Sequence, residues 1–270
     1  MSIQVEKQGH VWTIIHDRSE ARNSMDPQSA DDLVAAFLAF DRDPEARVAV
    51  LWGAGGAFCA GWDLKYAASL VNLPEHERDE VFTKLAFPEG DAPTPRGAMG
   101  PTRLSLSKPV IAAVEGPAVA GGMELAMWCD IRVCAEDAYF GVYCRRWGVP
   151  LVDGGTLRLP RLVGQGRALE IILTGRKVPA EEALRIGLCE QIEAPGQARA
   201  AAESMARDVA RFPQEAVRAD RRNVYATAGL DEQAALKVEW GNGVKALVEG
   251  IAGAARFSSG SGRGGDFGKI

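Results

Sequence analysis

The chain has 270 residues, of which 47% are apolar and 25% charged, the balance of an ordinary soluble protein with enough apolar mass for one sizeable core. Its formal net charge of −5 disfavours a polyanionic partner, so no nucleic acid is expected, although a few local Arg or Lys side chains suffice to hold a phosphate-bearing small ligand. No run of roughly 18 apolar residues exists, so no membrane span is expected. The five cysteines show no CxxC spacing, and the first seven residues lack an apolar leader. The odd cysteine count and the missing leader lead to the expectation of reduced thiols in a cytoplasmic compartment. Three histidines lie far apart without an HExxH motif, so no metal site is expected.

In chain order, residues 11–15 read as a strand. Asp26-Pro27 then supplies an N-cap and a proline at the first helical position. The helix that follows carries Ala30, Leu33, Val34, Phe37 and Phe40 on one stripe and ends near Asp43-Pro44. Residues 48–52 are wholly apolar and predict a buried strand. Residues 66–107 have the least regular pattern. A short helix is expected around residues 75–80, and the Pro- and Gly-rich remainder reads as a mobile loop or lid. Residues 110–114 form a second apolar strand, followed by a Gly-rich turn, a helix over 122–129, and short strands at 131–134 and 138–140. Beyond residue 165 the pattern turns helical, over 167–173, 180–186, 198–211, 213–227 and 231–249, and the Gly- and Ser-rich residues 258–268 read as a flexible tail.

One weak self-similarity carries the chemistry. The first apolar strand leads to Ala57-Phe58-Cys59-Ala60-Gly61-Trp62-Asp63-Leu64, and the second to Gly116-Pro117-Ala118-Val119-Ala120-Gly121-Gly122-Met123-Glu124-Leu125. Each is a buried strand, a small-residue turn and a helix start. Glycine lets the backbone approach a ligand closely, and the first N–H groups of a helix have no partner within it. Two such turns facing each other would direct two N–H donors at one oxygen, an oxyanion hole; taken singly, either is only a tight connection.

These turns, with Lys108-Pro109-Val110-Ile111-Ala112-Ala113-Val114-Glu115-Gly116 between them, resemble the crotonase (enoyl-CoA hydratase/isomerase) superfamily. So do residues 124–132, 154–164, Leu173-Thr174-Gly175-Arg176 and 180–188, in the same order over about residues 3–193. The resemblance implies an α/β fold: a crotonase-like spiral of ββα units, residues 1–195, that binds acyl-CoA, followed by a helical trimerisation region, residues 196–270. It implies an acyl-CoA thioester as substrate, no cofactor beyond the coenzyme A moiety, and a homotrimer or a dimer of trimers. By position, the thioester carbonyl would lie between the N–H groups of Trp62 and Gly121. Ala60, Asp63, Leu64 and Lys65 would line the adenine pocket. Arg22 stands where the family's first loop passes the nucleotide, as a phosphate contact or a solvated surface residue.

Carboxylates then decide the reaction. Glu124, one helical turn beyond Gly121, matches one of the two glutamates of the family's hydratases; the alternative is a carboxylate placed to suit its helix N-terminus. The second glutamate falls at Cys144, which is either an inert small side chain or a thiol activated by Arg145 and Arg146. Asp153 is the substitute second acid, one residue out of register with the aspartates that family isomerases and dehalogenases use; otherwise it is an N-cap for a helix beginning near Gly154. Arg145 or Arg146 could pair with it or meet a charged substrate end. The expected activity is reversible hydration of a 2-enoyl-CoA by Glu124 and Asp153. The alternatives are double-bond isomerisation by one carboxylate and a non-catalytic acyl-CoA-binding role. The cationic segment 144–147 also points to a short, polar or aromatic acyl group.

Overall fold

The structure, a computed structural model, describes residues 2–262. The chain opens with a hairpin, β1 (Ile3–Gln8) against β2 (Val11–His16), turning at Gly9. Asp26 caps α1 (Pro27–Arg42) by accepting the Ser29 N–H at 2.8 Å, and the helix buries Ala30, Leu33, Phe37 and Phe40 as its stripe requires. Next come β3 (Val48–Gly53), α2 (Leu64–Ser69), α3 (Glu75–Thr83), β4 (Val110–Val114), β5 (Pro117–Val119), α4 (Gly121–Trp128), β6 (Ile131–Ala135) and β7 (Tyr139–Gly141). The remaining elements are α5 (Gly155–Val163), α6 (Gln165–Thr174), β8 (Val178–Pro179), α7 (Ala180–Ile186), β9 (Gln191–Glu193), α8 (Ala198–Arg211), α9 (Gln214–Ala226), α10 (Glu232–Gly243) and α11 (Leu247–Ser258).

Two sheets share the strands. The larger has the order β1-β2-β3-β4-β6-β9, parallel beyond the first hairpin; the smaller is β5-β7-β8. Successive strands β4, β5, β6 and β7 alternate between the two sheets, so each pass leaves the larger sheet, adds a rung to the smaller and returns. That alternation is the spiral. It explains why β4 is apolar and buried at every position: it has neighbours on both edges and elements on both faces. Helix α8 lies across β2, β3, β4 and β6. Its contact side is an alanine row, Ala198, Ala202, Ala206 and Ala210, small enough to bring the helix close, and Arg47 donates to the Ala210 carbonyl at 2.7 Å.

Several details differ from the sequence expectation. Strand β1 was absent from it, because only Val5 and Ile3 interrupt a polar edge strand. The expected helix over 231–249 is two helices, α10 and α11, divided after Gly243. The stretch 66–107 holds most of α2, all of α3, a mutual pair of 3.0 Å hydrogen bonds between Gly97 and Gly100, and 3-10 turns at Leu70–Asn72 and Pro101–Arg103. Of the tail, residues 263–268 lie outside the described residues, and α11 runs on to Ser258. Among the described residues no helix is long and apolar enough to cross a membrane.

Candidate active site

The two Ala-Gly turns lie side by side. Cys59 and Ala118 form a parallel bridge in which the Cys59 N–H donates to the Pro117 carbonyl and the Val119 N–H donates to the Cys59 carbonyl, both at 3.0 Å. On its other edge the first turn meets Met25, whose N–H donates to Gly61 O at 2.7 Å and whose carbonyl accepts the Asp63 N–H at 2.9 Å. Backbone groups alternate sides along an extended chain, so the intervening Trp62 N–H points away from Met25. Gly61 adopts φ +92°, and a Cβ there would lie 3.0 Å from the Gly121 nitrogen. The left-handed backbone and this close approach both require glycine.

The second donor is set by a strained residue. Ala120 precedes α4 with φ +53°, a conformation that L side chains rarely adopt, and its N–H is tied to the Gly141 carbonyl at 2.7 Å. The kink frees the Gly121 N–H, the first of the helix. Among the described residues neither Trp62 N–H nor Gly121 N–H has an acceptor, and both residues line one cavity of about 540 Å³. Two unpaired backbone donors on one cavity, one of them the first N–H of a helix, suit an oxygen that gains negative charge.

Glu124 enters the same cavity one turn along α4 and is only 2% exposed. It does not serve its own helix terminus. Its Oε1 accepts two backbone N–H groups from the turn before α5, Asp153 at 2.9 Å and Gly155 at 2.7 Å. Burial pushes its carboxyl up to about 7. The Gly155 hydrogen bond opposes the rise, and the nearby Asp153 charge adds to it. Asp153 is also buried and lines the cavity, but it does not cap α5, whose N-cap is Gly154. Its Oδ1 accepts the Met99 N–H at 3.2 Å and the Thr102 hydroxyl. Cys144 lines the cavity as well. Burial first, and then the Glu124 charge, raise its thiol, so it remains protonated and is no nucleophile.

Of the residues singled out from sequence, Arg22, Ala60, Trp62, Leu64, Gly121, Glu124 and Asp153 line this cavity. Asp63 and Lys65 do not. Asp63 takes the Arg18 guanidinium at 3.0 Å and caps α2 through the Lys65 and Tyr66 N–H groups, while Lys65 is exposed. Arg145 and Arg146 stand outside the cavity, with Arg146 over the Tyr143 ring at 4.2 Å. The expected cation beside Asp153 is Arg158, one turn into α5, which donates to the Asp153 carbonyl at 2.8 Å and the Thr102 carbonyl at 2.7 Å. Away from the carboxylates the walls are apolar, among them Phe82, Leu85, Trp147, Val149 and Val152, so the cationic segment gives a polar acyl end no partner. Met99, Thr102 and Arg158 escaped the sequence reading because no spacing joins them to Asp153.

Together the spiral and the paired turns define a class of α/β protein that sets two unpaired backbone donors beside a buried carboxyl. The family model for enoyl-CoA hydratase/isomerase matches residues 6–87 and 101–248, and the chain belongs to that family. It is 35% identical over 251 residues to the enoyl-CoA hydratase EchA19 of Mycobacterium tuberculosis, covering 90% of this chain and 88% of the relative. It is 37% identical over 214 residues to the carnitinyl-CoA dehydratase of Salmonella arizonae, covering 77% and 74% respectively. The crystal structure of enoyl-CoA hydratase EchA1 from Mycobacterium marinum superposes with a TM-score of 0.83 at 32% identity, covering 96% of each chain. That of an enoyl-CoA hydratase from Bacillus anthracis does so with a TM-score of 0.83 at 30% identity, again covering 96% of this chain.

Proposed function

We propose that the protein adds water reversibly to the double bond of a 2-enoyl-CoA thioester. The observation that carries this reading is Glu124: a buried carboxyl, raised to about 7, in the cavity onto which the free Trp62 and Gly121 N–H groups open. A thioester carbonyl seated on those donors would become an enolate as oxygen adds at Cβ, and the donors stabilise the charge where it grows. Addition of water takes one proton from the water and delivers one to Cα. Glu124 and Asp153 are the carboxylates lining the cavity, and between them they perform both transfers. The Asp153 Oδ2 accepts no hydrogen bond among the described residues and is left to substrate or water. Relatives named as a hydratase and a dehydratase support water addition and its reverse.

The coenzyme A arm enters past Arg22, Ala60 and Leu64 at the cavity mouth, and the acyl group lies on the apolar side toward Phe82 and Trp147. Leu236, Trp240, Leu247, Val248, Ile251 and Phe257 leave an exposed apolar surface on α10 and α11, which supports assembly as a trimer or a dimer of trimers. Cys59, Cys129, Cys134, Cys144 and Cys189 are unbridged, in keeping with a reducing cytoplasm. The test is incubation with crotonyl-CoA, 2-decenoyl-CoA and, separately, a 3-enoyl-CoA in D₂O, followed by ultraviolet absorbance and mass. Gain of one water with loss of the conjugated band is expected. Conjugation of a 3-enoyl-CoA without hydration would replace the proposal by isomerisation, and binding without either reaction would leave an acyl-CoA-binding protein.

A further inference from the structure

Asp153 is held from two sides by groups far away in sequence. Its Oδ1 accepts the Met99 N–H and the Thr102 hydroxyl. Arg158 bridges the same two segments through the carbonyls of Asp153 and Thr102. Gly97 and Gly100 exchange backbone hydrogen bonds and so close a tight loop carrying Ala98 and Met99, both of which line the cavity. A Cβ on Gly97 would overlap Asp153 Oδ1 and Thr102 Oγ1 at once, and a Cβ on Gly121 would overlap Met99 Sδ. One small loop therefore touches both the second carboxylate and the oxyanion hole. It belongs to residues 88–100, which lie between the two stretches matched by the family model.

We infer that Thr102 is a positioning residue of the site, acting through Asp153. With the Gly97–Gly100 loop it fixes Oδ1, so that Oδ2 alone meets the reacting water or Cα. The inference rests on the hydratase reading. An aspartate carboxylate rotates over a broad, two-fold torsional well, so an unpinned Asp153 would present either oxygen at varied angles. Two donors on one oxygen remove that freedom, and hydrogen bonds to a charged carboxylate are the strong kind. Thr102 and Asp153 are both buried, so the contact is shielded from water. The sequence difference from hydratases with two glutamates then has a physical answer. Cys144 leaves the second acid to a shorter side chain from another loop, and that side chain is steadied by Thr102 and by Met99 of the Gly97–Gly100 loop.

The experiment measures kcat and KM for hydration of crotonyl-CoA and 2-decenoyl-CoA in the wild type, Thr102→Val, Thr102→Ser, Gly97→Ala, Asp153→Asn and Glu124→Gln. Thr102→Val keeps the volume and removes the donor. Its kcat is expected to fall by about tenfold or more with KM within about threefold. Thr102→Ser should return kcat to within about threefold of the wild type. Gly97→Ala should act in the same direction, and the double variant Gly97→Ala with Thr102→Val should be no worse than the poorer single one, because both break the same contact. Thermal unfolding of each variant separates loss of fold from loss of turnover. Wild-type kcat in Thr102→Val, or a loss that Thr102→Ser does not restore, overturns the inference. Full activity in Asp153→Asn with loss in Glu124→Gln also overturns it and leaves a hydratase standing. No hydration of either substrate by the wild type refutes the hydratase reading itself, and the inference falls with it.

Discussion

Replacing Glu124 by Gln should lower turnover by orders of magnitude and at the same time make the protein more stable at neutral pH. The reason is its burial. In the unfolded chain a glutamate carboxyl titrates at its ordinary 4.5; folded, burial lifts it to about 7. The folded state therefore holds the proton more tightly. This group's stabilising share is full below pH 4.5 and is lost as pH rises through 7, because the native protein must then carry a buried charge. At about 1.4 kcal/mol per tenfold in proton affinity, the deficit above pH 7 is about 3 kcal/mol relative to a side chain that never ionises. Gln can keep its carbonyl on the Asp153 and Gly155 N–H groups that Glu124 Oε1 now accepts, so its fold should survive. Urea unfolding at fixed protein concentration, followed by tryptophan fluorescence from pH 5 to 8.5, gives the comparison directly. The curves should lie close together at pH 5 and diverge by about 3 kcal/mol at pH 8.5, the Gln variant being the more stable, while its hydration rate falls by about 10²- to 10⁴-fold. Parallel curves would refute the reasoning, because a carboxyl that costs nothing to ionise is not the desolvated acid described.

Three further outcomes follow from the same structure. Gly121→Ala places a methyl group against Met99 Sδ at the hole and should lower kcat by about 10²- to 10³-fold with a folded protein, checked by steady-state kinetics and circular dichroism. Hydration and dehydration should show the same inflection near pH 7 in kcat/KM, and in the same sense, because water addition takes up no net proton and a pH-independent equilibrium ties the two directions together; pH–rate profiles in the two directions test this. His16 is buried with neither ring nitrogen hydrogen-bonded among the described residues, and burial holds it down to about 4. The folded state thus resists its protonation, so stability is lost as pH falls from 6.5 toward 4, and His16→Phe should lose less over that interval in acid unfolding.

The strands, the paired turns and Glu124 were legible because their signals are local: an apolar run, a small-residue turn and an acid one helical turn on. Asp153 was legible as a residue but not in its attachments. Met99 and Thr102 are more than fifty positions away, in a stretch without periodicity, and reach Asp153 only because α4 and α5 close over it. Arg145 and Arg146 misled because a short helical turn sends consecutive side chains to different sides, and theirs lie outside the cavity. Asp63 matched the family position for adenine, but in this chain Arg18 and the start of α2 occupy its carboxylate.

The two donors of the proposed oxyanion hole are backbone atoms, and this governs how the site tolerates mutation. No side-chain replacement can delete a main-chain N–H, except proline, which would have to fit the same backbone. Point changes can damage the hole chiefly by inserting atoms where there is no room, as at Gly121 against Met99 or at Gly122 against the Cys59 carbonyl. The groups proposed to handle protons are ordinary side chains, and a single codon change can exchange them. Inherited variation in such a protein will therefore reach the acids first and the hole last, so its descendants are free to change the reaction while continuing to bind the same kind of thioester.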